Sequence, residues 1–230
     1  MAGDSQSSAV VGAGSPAGSP LRRRDLAILV VFLLAAGALA VLLLGGRGGE
    51  KASAAGGENG GYAGLALSQP RPAPSLELRN YLGAPFDLAA FRGKAVLVTF
   101  LYTHCPNVCP LIASKLHTAL VEMPVRERRE VELVAVSVDP RGDTPATVAQ
   151  FLAAHQLTGQ MQYLLGSATA LARVWQQWGV GSRRDTGNPE LVAHTALVYG
   201  ITADGLIKTI YSSSFAPSDI VHDVARLAAA

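Results

Sequence analysis

The chain has few cysteines, methionines, aromatic residues and charged side chains. Only two of its 230 residues are cysteine, which excludes a small domain held together by a dense set of disulfides. Its hydrophobic content of 49% is too high for a wholly disordered chain. The net charge is +2 and the longest basic run is Arg22–Arg24, so nothing supports a nucleic-acid-binding surface and we expect no nucleic-acid partner.

The N-terminal region has two parts of contrasting composition. Residues 1–25 are rich in Ser, Ala, Gly and Pro, which predicts a disordered tail. Residues 26–44 are apolar throughout and would span about 29 Å as a helix, which predicts a transmembrane helix. A cleaved signal peptide is the alternative, although its apolar core usually runs only about 7 to 15 residues. Arg22–Arg24 favour a cytoplasmic tail in a single-pass protein of the cytoplasmic (inner) membrane, with the C-terminal domain on the periplasmic or outer face.

The rest of the chain is predicted to be a linker followed by one domain. Residues 45–74 are rich in Gly, Ala and Pro and read as a flexible linker. Residues 75–230 alternate strand-like and helix-like segments, which predicts an α/β domain with a central sheet covered by helices on both faces. The predicted strands are 76–79, 85–88, 95–102, 131–138, 162–165, 195–201 and 206–211, and the predicted helices are 110–123, 145–155, 168–178 and 219–227.

Both cysteines lie in the segment Thr103–Pro110, where a buried strand is predicted to end and a helix to begin. Free N–H groups and the helix dipole favour a thiolate at such a position. Pro106 and Pro110 predict an irregular turn over Cys105–Cys109, with the regular helix starting at Pro110. The spacing allows the sulfurs to form a disulfide or to chelate one soft metal ion. A merely stabilising disulfide, or two buried thiols, stays open as an alternative.

The five histidines differ in how well they could complete a metal site. His194 stands 85 positions after Cys109, at the start of a predicted strand, where a parallel sheet could place it beside the cysteines. His104 adjoins Cys105, but strand alternation would point it to the opposite face. The other three lie in predicted helices, where surface or packing roles are expected: His117, His155 and His222.

Three motifs stand out along the domain: Tyr-Thr-x-Cys-Pro-x-x-Cys-Pro ending a strand, Ser137-Val138-Asp139-Pro140 with Asp143-Thr144-Pro145, and a late His-Thr opening a strand. Together they resemble the Sco/SenC family of copper-binding, membrane-tethered, thioredoxin-like proteins. The resemblance covers about Pro74 to the C-terminus and implies a thioredoxin-like fold with a central mixed sheet flanked by helices. It also implies Cys105, Cys109 and His194 as copper ligands.

Two positions near these motifs qualify the resemblance. Asp139 matches an acidic position of the family and is a candidate for a carboxylate beside the ligands. An Asp-Pro-x-x-Asp-Thr-Pro loop is also an ordinary way to end a strand and cap a helix, so that reading stays open. Family members usually carry Asp immediately before the histidine, where this chain has Ala193.

The resemblance implies a metallochaperone that delivers copper to the dinuclear copper centre of cytochrome c oxidase subunit II, or prepares the paired cysteines of that subunit. A thiol reductant in the outer compartment is a second implied partner, because that compartment is oxidising. Two thiolates and one imidazole suit Cu(I), and suit Cu(II) when an oxygen is added. The three methionines do not cluster, which excludes a methionine-rich copper site.

Two other classes of function stay open. One is a membrane-tethered thiol-disulfide oxidoreductase in which Cys105 attacks and Cys109 resolves the mixed disulfide. The other is a module that senses copper or redox poise. The metal site requires His194, whereas a dithiol mechanism does not.

Overall fold

The computed structural model describes residues 60–188 and 191–230. The predicted tail, the predicted transmembrane helix and most of the predicted linker lie outside these residues. Among the described residues, no helix combines the length and the apolar character needed to cross a membrane.

The described residues form ten strands, five α-helices and one 3₁₀ turn at Leu88–Phe91. The strands are β1 Leu65–Pro72, β2 Glu77–Asn80, β3 Pro85–Asp87, β4 Ala95–Leu101, β5 Val131–Ser137, β6 Met161–Leu165, β7 Ser182–Arg184, β8 Val192–His194, β9 Leu197–Ile201 and β10 Leu206–Ser212. The helices are α1 Val108–Glu122, α2 Val125–Arg129, α3 Pro145–Ala154, α4 Ala168–Trp178 and α5 Pro217–Ala228.

Eight strands form one mixed sheet in the order β1-β10-β9-β4-β5-β6-β2-β3. Strands β4, β5 and β6 are parallel neighbours, whereas β9 runs antiparallel to β4. All seven residues of β4 are buried, as its continuous run of apolar and β-branched side chains predicts. The expected α/β architecture with a central mixed sheet is confirmed.

Helices cover both faces of this sheet. The Trp178 ring of α4 packs against Phe100 and Tyr199, with ring centroids 5.7 and 5.4 Å apart. Successive strand residues point to opposite faces, so Gly200 faces the other side. There α5 approaches closely, because a Cβ on Gly200 would lie 3.0 Å from Leu227 Cδ1. Helix α1 packs beside α5.

The folded domain begins earlier than the predicted residue 75. Strand β1 lies within the segment predicted as linker and pairs antiparallel with β10 at the edge of the sheet. Prolines are tolerated in an edge strand, since a missing N–H there need not remove a ladder hydrogen bond. Just before β1, the amides of Ala63 and Gly64 donate to the buried Asp223 carboxylate at 2.8 and 2.9 Å.

Two helices also begin earlier than predicted. Helix α1 starts at Val108 rather than Pro110, with Asn107 as its N-cap. Pro110 is tolerated there because the first N–H groups of a helix have no partner within the helix. Helix α5 starts at Pro217 rather than Asp219, whose carboxylate accepts the Ala216 amide at 2.8 Å.

Candidate metal centre

The two cysteines lie on the turn that joins β4 to α1. The Cys105 amide donates to the Tyr102 carbonyl at 3.4 Å, and the Cys109 amide donates to the Cys105 sulfur at 3.3 Å. Cys105 therefore lies at the N-terminal end of α1, where backbone N–H groups face its sulfur. Cys105 is 6% exposed and Cys109 is fully buried. Both are free thiols.

His194 ends β8, which pairs with β7 in a separate two-stranded sheet. The sequence analysis placed it at the start of a strand in a parallel arrangement, and both details are wrong. The next strand, β9, begins at Leu197 and runs antiparallel to β4, with Val198 opposite Thr99. The start of an antiparallel neighbour lies at the end of β4, so His194 is brought to the cysteine turn.

The three residues converge on one point. His194 Nε2 lies 3.4 Å from Cys109 Sγ. The two sulfurs and one imidazole nitrogen all lie within 4.8 Å of one another. Among the described residues, this is the cluster of His, Cys and carboxylate groups whose geometry could hold a metal ion.

The backbone beside His194 favours the tautomer that a metal ligand requires. Its Nδ1 lies 3.2 Å from the Thr195 carbonyl oxygen, which can only accept a hydrogen bond. A proton on Nδ1 can be donated to this oxygen, which leaves the lone pair of Nε2 free to bind a metal ion. A neutral imidazole with one free nitrogen is the form that binds metals.

The two thiols differ strongly in acidity. Hydrogen bonding from Cys109 holds the pKa of Cys105 far below its ordinary value, with further contributions from the amides of Cys109 and Asn107. The same hydrogen bond raises the pKa of Cys109, and burial adds to this increase. The metal-free pair is therefore one thiolate, on Cys105, and one thiol, on Cys109.

A surface pocket of about 360 Å³ opens over this cluster. Its walls come from the cysteine turn and from the hairpin that carries His194, including Pro106, Val108 and Leu191. The donor set of two sulfurs and one imidazole nitrogen is soft, which fits copper better than the hard cations that prefer oxygen. Cys105 and His194 line this pocket, so a copper ion could reach them from it, with Cys109 buried behind them.

Asp139 is buried, but its carboxylate does not lie against the three candidate ligands. Within the described part of the chain, it accepts hydrogen bonds from the Arg184 guanidinium and, at 3.2 Å, from the Arg141 amide. Arg184 belongs to β7, so Asp139 ties the hairpin of His194 to the end of β5. Its influence on the site is indirect.

The other histidines lie outside the cluster. His104 is exposed, with its Nδ1 3.2 Å from Thr103 Oγ1. His155 contacts Ser114 at 3.2 Å. His222 lies on α5 and contacts Asp223 at 2.7 Å. Ala193 is exposed, on the opposite side of β8 from His194.

Asp143 shapes the cysteine turn, a role that the sequence analysis missed. Its carboxylate accepts the amide and the hydroxyl of Thr103, both at 2.8 Å. It also accepts the hydroxyls of Ser137 and Tyr163 at 2.6 and 3.0 Å. Burial raises the pKa of Asp143. The motif marked Asp143 as a loop residue, and no local signal shows that it turns inward.

Tyr102 is a second residue that the sequence analysis missed. Its hydroxyl accepts the Val192 amide at 3.3 Å, and its ring meets His194 edge to face at 5.6 Å. The pKa of Tyr102 is raised to about 12, chiefly by burial, so the phenol is neutral at physiological pH. The sequence pattern identifies Tyr102 only as the last residue of a buried strand.

Comparison with known proteins identifies the family. The family model described as SCO1/SenC matches residues 68–229. The chain belongs to the SCO1/SenC family. The mouse protein named SCO2 homolog, mitochondrial, is 29% identical over 157 residues, which cover 66% of this chain and 61% of the mouse protein. This chain spans 54 to 61% of the length of the mammalian SCO2 homologues that it matches.

Solved Sco structures share the fold. The apo Sco1 protein of Thermus thermophilus is 30% identical with a TM-score of 0.63, covering 72% of this chain and 96% of that one. ScoI of Bradyrhizobium japonicum with copper bound is 27% identical with a TM-score of 0.58, covering 68% of this chain and 99% of that one. The thioredoxin-like α/β fold expected for a SCO1/SenC protein is therefore confirmed.

Proposed function

We propose that this SCO1/SenC protein is a copper metallochaperone that binds one copper ion through Cys105, Cys109 and His194. The convergence of two sulfurs and one imidazole nitrogen within 4.8 Å carries the proposal. The copper-bound structure of the Bradyrhizobium japonicum relative supports the choice of metal.

The metal-free site is largely prepared for the ion. The lowered pKa of Cys105 favours its thiolate, and the contact of His194 Nδ1 with a carbonyl leaves Nε2 available, whereas the raised pKa of Cys109 favours its thiol. Copper binding therefore displaces the Cys109 proton, because thiolates and not thiols bind metals. Three soft ligands suit Cu(I), and an added oxygen suits Cu(II). Few ligands and a nearby surface pocket favour release to an acceptor with more ligands.

The proposed acceptor is the dinuclear copper centre of cytochrome c oxidase subunit II. Residues 26–44 would anchor the chain in the cytoplasmic membrane, with the described domain on the periplasmic face. In that oxidising compartment, a separate thiol reductant would keep Cys105 and Cys109 reduced. The length and apolar composition of residues 26–44 support the anchor.

A transfer experiment tests delivery. The full chain, purified in detergent and loaded with copper, is mixed with the copper domain of subunit II whose cysteines are reduced, and the two proteins are separated. We expect copper to move to the acceptor, and none to move when the acceptor cysteines are replaced by serine. Copper retained by the chain, or an equal transfer to the serine variant, would reject delivery.

A thiol-disulfide oxidoreductase is the second candidate, favoured by the low pKa of Cys105. The Cys105 thiolate would attack a substrate disulfide, forming a mixed disulfide and releasing one substrate thiolate. Cys109, after losing its proton, would attack the Cys105 sulfur and release the second substrate thiolate. The substrate would gain two electrons, and Cys105 and Cys109 would be oxidised to a disulfide.

Replacing His194 separates the two candidates. His194→Ala removes a proposed copper ligand but leaves both thiols, so an oxidoreductase would keep most of its rate of disulfide reduction. The matched variant Cys105→Ser should abolish that rate. If wild type and His194→Ala both fail to reduce an oxidised subunit II cysteine pair, the second candidate is rejected.

A further inference from the structure

The segment that carries His194 is not part of the main sheet. Among residues 60–188 and 191–230, strands β7 and β8 pair with each other and with no strand of the main sheet, with His194 opposite Ser182. The position of the imidazole relative to the thiols therefore depends on contacts between this hairpin and the rest of the domain. Two of them fix β7: the Arg184 guanidinium donates to Asp139, and the Ser182 hydroxyl donates to the Val138 carbonyl at 3.1 Å.

Tyr102 supplies a contact to β8 itself. Its hydroxyl accepts the amide of Val192, which lies two residues before His194 on the same strand. Its ring lies edge to face against the imidazole, at an interplanar angle of 86°. Its carbonyl accepts the Cys105 amide on the other side of the site. One residue thus contacts both segments that carry candidate ligands, and it is 3% exposed.

We propose that Tyr102 is a positioning residue. Its hydroxyl holds the Val192 amide and thereby keeps His194 Nε2 close enough to the Cys109 sulfur for both to bind one metal ion. The inference rests on the proposed function only for the identity of the metal.

The physical cost of losing this hydroxyl is local. Val192 is a buried residue, and without the hydroxyl its amide loses the hydrogen-bond partner that the fold provides. A buried N–H without a partner is costly, and a shift of the hairpin toward water relieves that cost. Such a shift moves the imidazole. Small displacements of a ligand weaken metal binding because coordination is sensitive to geometry.

The substitution Tyr102→Phe removes the hydroxyl and keeps the ring. Tyr199→Phe is a matched control, since Tyr199 is also buried and its hydroxyl also meets a backbone group, the Trp178 carbonyl, at 3.3 Å. In the metal-free full chain, we expect Tyr102→Phe to speed hydrogen exchange of the Val192 amide by about tenfold, with no such change in Tyr199→Phe. Unchanged exchange at Val192 would overturn the proposal.

The second measurement is Cu(I) affinity in two backgrounds. In the native background, Tyr102→Phe should weaken Cu(I) binding by about tenfold and change the thiolate-to-Cu(II) absorption. In the His194→Ala background, the same substitution should have a clearly smaller effect, because the imidazole it positions is gone and only the contact of Tyr102 with Cys105 remains. Equal losses in both backgrounds would show a general structural role and overturn the proposal.

The two measurements keep this inference separate from the proposed function. If no variant binds copper, including the native chain, the proposed function fails while amide exchange still decides the role of Tyr102. A third outcome would reject the proposal. If Tyr102→Phe and Tyr199→Phe lower the unfolding temperature equally, and neither changes the exchange of the Val192 amide or the Cu(I) affinity, then the Tyr102 hydroxyl only stabilises the core.

Discussion

At the scale of single residues, the difference in pKa between the two thiols determines which sulfur reacts first. The Cys105 sulfur receives hydrogen bonds from the Cys109 thiol and from backbone amides at the start of α1. Cys109 is fully buried and keeps its proton. The first contact of a metal ion or a disulfide is therefore expected at Cys105.

This asymmetry predicts an unusual pH dependence of alkylation. Because the pKa of Cys105 is lowered, its thiolate persists as the pH falls, so the rate of reaction with iodoacetamide should stay nearly constant from about pH 8 to about pH 6. Cys109→Ala removes the donated hydrogen bond and should make the rate fall with pH. Cys105→Ser is the control and should remain unlabelled. Identical pH profiles for wild type and Cys109→Ala would contradict this assignment.

Asp143 gives a second prediction at this scale. Asp143→Asn replaces one acceptor oxygen by an NH₂ group facing the donors Thr103, Ser137 and Tyr163, and should lower the free energy of unfolding by about 2 kcal/mol. Asp87→Asn is the control, because Asp87 is exposed and caps only the short turn after β3. Urea unfolding of the metal-free chain measures both. A loss for Asp143→Asn no larger than for Asp87→Asn would contradict this role.

The sequence predicted the positions of some site residues and not of others. The spacing of Cys105 and Cys109 predicted a shared site, and the family resemblance added His194. Asp143 and Tyr102 could not be predicted, because their partners are distant in sequence. Tyr102 meets Val192, 90 positions later, and Asp143 meets Thr103, 40 positions earlier. Such contacts depend on the register of β4, β5 and the hairpin.

At the scale of elements, β9 is the strand that joins the site to the core. It runs from Leu197 to Ile201 and pairs with β4, with Val198 opposite Thr99 near the cysteine turn and Ile201 opposite Val96 at the far end. Gly200 lets α5 approach the sheet, because a Cβ there would overlap Thr209 Oγ1 as well as crowd Leu227. The packing of α5 on the sheet therefore requires glycine at this position.

Gly200→Ala should accordingly lower the free energy of unfolding by about 2 kcal/mol, since overpacking forces the sheet and α5 apart. Gly181→Ala is the matched control: its Cβ would meet Thr195 Oγ1 at 3.7 Å, an ordinary contact. Urea unfolding of the two variants compares them. Equal stabilities would contradict the close approach of α5.

The elements that sequence predicted well are those with a continuous local signal. The apolar runs of β4 and β5, and the Thr144 and Ser167 caps of α3 and α4, were found close to their observed bounds. Strand β1 was missed because its prolines and polar residues resemble a linker. Strands β7 (Ser-Arg-Arg) and β8 (Val-Ala-His) were missed because neither contains a run of apolar or β-branched residues.

At the scale of the whole molecule, the proposed anchor would confine the copper site to a membrane surface. We expect the full chain to fractionate with membranes and to resist extraction at high pH, because residues 26–44 would span the bilayer. Deletion of residues 1–44 should release the protein. Intact mass of the purified full chain checks that the N-terminus is retained. A mature chain that starts beyond residue 44, or a full chain in the soluble fraction, would contradict the anchor.

The central claim is that Cys105, Cys109 and His194 together bind copper, and titration of the reduced full chain with Cu(I) and Cu(II) tests it most directly. The neighbouring variant His104→Ala is the matched control, since His104 is exposed and lies outside the cluster. We predict one copper ion per chain with thiolate-to-Cu(II) absorption in wild type and His104→Ala, and at least a tenfold weaker affinity, about 1.4 kcal/mol, in His194→Ala. Equal binding by wild type and His194→Ala, with no thiolate-to-copper absorption in either, would contradict the account.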